Sequence, residues 1–255
     1  MVAVAALAAP ACAGTGTTPL TATVEQSRAA QVRQGVNVIL ASSSDAPVRF
    51  ERIRLDDDRF EPVPATDRRV TVAPRTPRLL VPVPIGAARC TGTLGTPAVV
   101  VDDRRVAIDA DGRALLDRLV DDACRREALD RQVDVAFSPD DAVAISPVEV
   151  EATLRLRRTG GDDTVTVDAI GSNVIFAVTA PTATLGADDS VLEVRVLLNA
   201  SRCEPHALAE SKKTWLFPVW LALGSGTPQH LELEITGRAR ALLERALLDG
   251  CASQG

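Results

Sequence analysis

Alternating and helical patterns of apolar positions recur twice along this chain, in the same order. Leu79, Val81, Val83 and Ile85 are apolar at every second position and run towards Arg89-Cys90. Leu192, Val194, Val196 and Leu198 do the same towards Arg202-Cys203. A period of two is the signature of a strand with one buried face. Downstream, Leu115 to Cys124 reads LLDRLVDDAC and Leu242 to Cys251 reads LLERALLDGC, with no gap between them. Each copy is therefore an alternating strand, an Arg-Cys pair, a variable insert, a short amphipathic helix and a second cysteine. Two registers kept within one chain predict a duplicated domain.

Between these landmarks the pattern predicts short strands. Val36 to Ser42 is apolar and β-branched, Ser43 to Pro47 is turn chemistry, and Val48 to Leu55 resumes the strand. Val48 and Phe50 share one face while Ile53 and Leu55 fall on the other, so a bulge is expected between them. Asp56 to Asp58 and the Pro-rich stretch Pro62 to Pro77 read as loop with an edge strand. Pro82 and Pro84 lie on the outward face of the Leu79–Ile85 strand, and proline cannot donate to a ladder, so this strand too is expected at an edge. Ala98 to Val101 and Arg105 to Ile108 predict a hairpin around Asp102-Asp103. Asp111 is expected to cap a helix from Gly112 to near Leu129, with Leu115, Leu116, Leu119, Val120 and Ala123 as its buried stripe.

The second copy opens with Val133 to Ala144. Val148, Val150, Ala152, Leu154 and Leu156 then alternate with Glu149, Glu151, Thr153, Arg155 and Arg157, the clearest half-buried strand in the chain. Gly160-Gly161-Asp162 predicts a hairpin into Thr164–Ile170. Asn173 to Val178 and Val191 to Leu198 add strands, and Leu231, Leu233 and Ile235 alternate into Thr236, placed to cap the last helix. The expected fold is mainly β, with two tandem immunoglobulin-like β-sandwich domains that each end in a short disulfide-tethered α-helix. The expected segments are an export leader over 1–14, a linker over 15–23, a first domain over 24–131 and a second over 132–255.

Composition narrows the setting. The 255 residues are 46% hydrophobic and 24% charged, which suits one large or two ordinary domains. A net charge of −6 argues against nucleic acid, which needs a basic surface, and against docking on anionic lipid. Lys212 and Lys213 are the only lysines and Tyr is absent, a bias that points to a high-GC bacterial genome. Met1 to Gly14 (MVAVAALAAPACAG) is similar to the end of an export signal, although a basic n-region is missing and the first basic residue is Arg28. Two processing routes compete. Ala9-Pro10-Ala11-Cys12 is a degenerate lipobox, from which Cys12 would emerge lipidated, and the Pro departs from the usual pattern. Ala11-Cys12-Ala13 fits a small-x-small cleavage site instead. Either route places the protein on the outer face of the bacterial cytoplasmic membrane or secreted, touching membrane only through an N-terminal lipid anchor if one is present.

The candidate chemistry is sparse. Cys90 with Cys124 and Cys203 with Cys251 pair naturally within copies, leaving Cys12 in the leader. No CxxC spacing exists and only His206 and His230 could assist, so no metal site is expected. Asp109-Ala110-Asp111-Gly112 is similar to the middle of a calcium loop. In that register, however, Ala107 and Arg118 stand where carboxylates are required. No GxSxG elbow is present and two histidines leave little room for a catalytic triad, so neither enzyme activity nor a cofactor is expected.

One segment carries a resemblance. Arg202-Cys203-Glu204-Pro205-His206-Ala207-Leu208-Ala209-Glu210-Ser211-Lys212 resembles an Arg-Cys-acid-Pro-His-Ala-x-Ala-acid motif of uncharacterised exported, lipoprotein-type proteins of high-GC Gram-positive bacteria. The resemblance covers that segment alone and implies no activity. His206 and Glu210 are spaced to share one helix face, where they could pair or hold a cation. The first copy has Thr-Gly-Thr-Leu-Gly after its Cys, so the second copy alone holds these groups. Both tryptophans follow. On a strand with Phe217 and Val219, Trp215 and Trp220 are expected on one side, with Leu216 and Pro218 on the other. Tryptophan is enriched among binding hot spots, so His206, Glu210, Lys212, Trp215 and Trp220 form the candidate binding surface. The expected function is that of a non-catalytic exported cell-envelope protein, a tandem β-sandwich scaffold or binding module. Its partner would be an envelope protein or a small ligand, with no nucleic acid. The alternative is a ligand- or metal-binding envelope lipoprotein that uses the insert 203–220.

Overall fold

The alternating stretches form strands, and every strand pair is antiparallel. The computed structural model describes residues 20–91, 95–202 and 211–252, the side chain of Cys251 excepted. The chain is mainly β and divides into two compact units, 1–123 and 124–255.

The first unit contains β1 (Leu20–Glu25), α1 (Arg28–Val32), β2 (Gly35–Ser42), β3 (Val48–Asp56), β4 (Thr66–Val72), β5 (Leu79–Pro84), β6 (Ala98–Val101) and β7 (Arg104–Ala107), then α2 (Ala110–Gln132), which runs across the boundary between units. Two sheets form, ordered β1-β2-β5 and β4-β3-β6-β7. Val36, Val38 and Leu40 of one sheet and Phe50, Ile53, Val99 and Val101 of the other belong to one buried cluster, so the sheets share a sandwich-like core. Each such side chain contributes about 1.5–3 kcal/mol by leaving water. Leu115, Leu116, Leu119 and Val120 of α2 pack on the same cluster.

The second unit contains β8 (Val133–Ser146), β9 (Glu149–Arg158), β10 (Val165–Ile170), β11 (Phe176–Thr179), β12 (Ala183–Leu185), β13 (Val191–Ala200), β14 (Leu216–Leu223), β15 (Gln229–Glu234) and α3 (Gly237–Ala252). Its sheets are ordered β11-β13-β9-β8 and β12-β10-β14-β15. Val150, Ala152, Leu154 and Leu156 face Phe217, Val219 and Leu221 in one core, to which α3 adds Ala239, Leu243 and Ala246.

Strand for strand, β1, β2 and β5 correspond to β8, β9 and β13, and β4, β3, β6 and β7 correspond to β12, β10, β14 and β15. The two registers repeated in the sequence are thus matched by the order of both sheets. Two departures matter. In the second unit β11 covers the outer edge of β13, whereas among the described residues no strand covers the matching edge of β5, which carries Pro82 and Pro84. Prolines there remove donors that another chain could use.

Several expectations meet the structure directly. The bulge in β3 lies between Phe50 and Arg52, and β5 and β4 are both edge strands. Cys90 and Cys124 are joined by a disulfide. Cys12, Cys203 and the side chain of Cys251 lie outside the described residues.

Four details differ. β1 begins at Leu20, because Leu20, Ala22 and Val24 alternate into the core, so residues 20–23 are strand rather than linker. Helix α2 is capped by Asp109 and not Asp111: the Gly112 N–H donates to Asp109 Oδ1 at 2.8 Å. Ala123 is exposed rather than part of the buried stripe. The Gly160-Gly161 turn is no hairpin, since β9 pairs with β8 and β13 while β10 pairs with β12 and β14. Instead the chain crosses between sheets there. Gly161 adopts φ +62°, and the Arg158 guanidinium donates to the carbonyls of Asp163 and Gly186 at 3.1 and 2.7 Å.

Candidate functional site

Strand β14 splits its residues cleanly between two faces. Phe217, Val219 and Leu221 are fully buried, while Leu216, Pro218 and Trp220 point outward and stay half-buried. Across the sheet, Trp220 lies between Ala169 of β10 and His230 of β15. These three residues form a row on the outward face. A register shift between Val167 and Ala169 marks a bulge, and Asp168 and Ala169 are consequently both exposed. A bulge re-aims side chains in this way and sets a carboxylate beside the row.

The indole is held in place. Its centroid lies 5.2 Å from that of His230, with the rings tilted by 45°. The loop after β10 passes beneath it, and a Cβ at Gly171 would come within 2.8 Å of Pro218 Cγ and 2.9 Å of Trp220 Cζ3. Only glycine permits that approach. The Gly171 N–H donates to the Pro218 carbonyl at 2.8 Å. On the same face of β15, Glu232 accepts from Lys213 Nζ at 2.5 and 2.7 Å.

Trp215 behaves differently. It precedes β14 with the parity of Phe217 and packs on the core, 5.8 Å from the Phe176 ring. Arg240 Cζ lies 4.9 Å from its ring centroid. Trp215 and Trp220 therefore occupy opposite faces, not one side as expected, because five positions along a period of two reverses direction. Lys212 is exposed. His206 and Glu210 lie outside the described residues. Of the candidate surface, Trp220 is the group that the structure places in an open row. Ala169, Asp168 and His230 join it there, none of them part of the binding surface expected from the sequence.

A row on the outward face of the matching sheet of the first unit is closed. Val100 of β6 lies between Arg54 of β3 and Arg105 of β7. Both guanidiniums donate to Asp56, and Val100 is left only 7% exposed beneath them. Next to this row, the Asp57 side chain is fully buried and accepts from Arg59 Nε at 2.9 Å and Nη2 at 2.8 Å. Arg59 also donates to Asp117 of α2. The hydrogen bond to Asp57 holds the Arg59 guanidinium protonated far above neutral pH. These groups satisfy one another, and they fasten the loop after β3 to the helix.

A groove of about 590 Å³ crosses the other sheet of the second unit, lined by Asp140, Asp141, Glu151, Glu193, Arg195 and Arg238 among others. Arg155 bridges Asp141 and Glu193 at 2.7 and 2.8 Å. The Ser138 hydroxyl, donating to Asp141, holds that carboxyl below its ordinary range. Among the described residues no group of three or more His, Cys, Asp or Glu could hold a metal ion.

No family model matches the chain, and no curated protein matches it. Among solved structures it is similar to the BSP domain of a biofilm associated protein, with a TM-score of 0.21 and 9% sequence identity, over 84% of this chain. This chain spans 58% of the length of that structure. A likeness at that score carries no argument about fold or function.

Proposed function

We propose that this chain is a non-catalytic binding or scaffold module of the bacterial cell envelope, built from two tandem immunoglobulin-like sandwiches. Its recognition surface is the Ala169–Trp220–His230 row. The immunoglobulin reading is supported by strand order. In the second unit β8-β9-β13-β11 follows the A-B-E-D order of such domains, and β10-β14-β15 follows C-F-G with β12 added at the edge. Export is supported by the apolar leader and by the Cys90–Cys124 disulfide, a bond that persists in oxidising compartments.

The observation that carries the function is the inequality of the two rows. Each unit presents an outward row on its matching four-stranded sheet; one is sealed by Arg54, Asp56 and Arg105, and the other leaves an indole half-exposed. A ring already pinned by Gly171, Pro218 and His230 has little freedom left to lose on binding, so its apolar area converts efficiently into affinity. The test is Trp220→Ala in the full chain, expressed in its host. The variant keeps its melting temperature, as outward substitutions usually do, and no longer co-purifies the partner held by the wild type. Retention of the partner would refute the proposal.

A further inference from the structure

We infer that the Trp220 row receives a cationic side chain, an arginine or lysine from an exposed segment of a partner protein. This rests on the reading of that row as the recognition surface. The other tryptophan of the same unit already holds such an occupant. The Arg240 guanidinium lies over Trp215, with Cζ 4.9 Å from the ring centroid. Two carboxylates hold it there, Glu244 at 3.0 Å and Glu234 at 3.6 Å. A cation above an indole with acids at its flank is a favourable pairing, because the ring face is electron-rich and the acids fix the position of the charge.

Trp220 also has acids nearby, and its internal neighbours are His230, Gly171 and Pro218 rather than a stacked cation. The bulge places the exposed Asp168 carboxylate next to its row, and Glu232 lies two positions from His230 on the same face. Ala169, directly across from Trp220 and exposed, leaves room beside the ring. Among the described residues no guanidinium or ammonium stacks on this indole. Lys213 is committed to Glu232, so Asp168 is the acid free to meet an incoming charge. The chain as a whole carries a net charge of −6, which favours approach of a basic segment. The acids beside the row and the net negative charge therefore agree on the sign of the missing group.

A neutral glycan could also stack on an indole, and the experiment separates the two. The isotopically labelled full chain is titrated with the peptide acetyl-Gly-Arg-Gly-Arg-Gly-amide, and with the same peptide carrying citrulline, which keeps the planar shape and loses the charge. The arginine peptide shifts the Trp220 indole N–H resonance, assigned by its loss in Trp220→Phe, and added salt weakens the effect. The citrulline peptide binds about tenfold more weakly, and Asp168→Asn weakens the arginine peptide about two- to fivefold. Asp168 is exposed in a bulge, so this variant carries no folding risk. Equal binding of both peptides, no shift with arginine, or a shift produced by maltohexaose and not by the arginine peptide would each overturn the inference. If the peptides fail while Trp220→Ala still loses its cellular partner, the recognition surface stands and only the cationic occupant falls. Should Trp220→Ala keep the partner, both fall.

Discussion

The two outward rows, Arg54–Val100–Arg105 and Ala169–Trp220–His230, lie on the outward faces of the matching four-stranded sheets of the two units. In the first, an aspartate clamps two arginines over a valine. In the second, a bulge exposes Asp168 and Ala169 beside a half-buried indole on which Gly171 packs. Strand order is kept while the surface chemistry is exchanged, so the frame constrains the core and leaves the outward positions free to diverge. The helices repeat the contrast. The Arg59–Asp57–Asp117 cluster fastens α2, with Leu116 its one fully buried leucine in the first core. Helix α3 is fastened by Ala239, Leu243 and Ala246, all buried in the second core. One unit is closed by charge, the other by apolar contact.

That contrast can be broken most severely at Arg59. Arg59→Ala removes the guanidinium and leaves the buried Asp57 carboxylate with the backbone N–H of residue 59, and it costs about 3–5 kcal/mol, read from chemical denaturation. The double change Asp57→Asn with Arg59→Met recovers much of the loss. In the second unit the corresponding injury is apolar. Leu243→Ala opens a cavity between α3 and the sheets and costs about 2–5 kcal/mol, but its effect does not change with salt or pH. Pronounced salt dependence for Leu243→Ala would contradict the division.

A smaller effect is set by pH. The backbone N–H groups of Glu51 and Arg52 donate to Asp102 at 3.0 Å each, and the first of these bonds holds its carboxyl below the ordinary range. A depressed folded value means that the stabilisation is complete above the ordinary carboxylate pKa, near about 3.9, and is lost as pH falls through the folded value. Asp102→Asn therefore lowers stability at neutral pH, and the difference from wild type shrinks as the solution is acidified. Asparagine tolerates the φ of +51° at this turn position, so the comparison isolates the charge. The mildest expectation concerns the lid itself. Asp56→Ala frees Arg54 and Arg105 from above Val100 and costs up to about 1 kcal/mol, and it confers no partner binding, because no aromatic ring lies beneath.

The sequence showed most of the frame, for physical reasons that can be named. Val150, Ala152, Leu154 and Leu156 alternate because one face of β9 is buried and the other solvated. Pro82 and Pro84 report an edge, and Phe50 followed by Ile53 reports a bulge. Gly160-Gly161-Asp162 misled because the same residues suit a hairpin and a crossing between sheets; what decides is that β9 pairs with β8 and β13 while β10 pairs with β12 and β14, strands distant in sequence. Asp109 and Asp111 both suit a cap, and only the hydrogen bond separates them. The site was harder to read. Trp220 was visible, but its neighbours come from two other strands, and a register between strands is not written in any one of them. A partial signal was present in Val165-Thr166-Val167-Asp168-Ala169-Ile170-Gly171, where alternation fails and a glycine follows. Arg59 left none, since a buried arginine within an acidic loop reads as solvated.

The central claim is that the two rows differ in function as they differ in chemistry. It is tested most directly by placing the photocrosslinking residue benzoylphenylalanine at position 169 in one full-length chain and at position 54 in another, each expressed in its host and irradiated. The account predicts a discrete adduct from position 169, absent when Trp220→Ala is added, and none from position 54. Adducts of equal yield from both positions, or an adduct at 169 that survives Trp220→Ala, would contradict it.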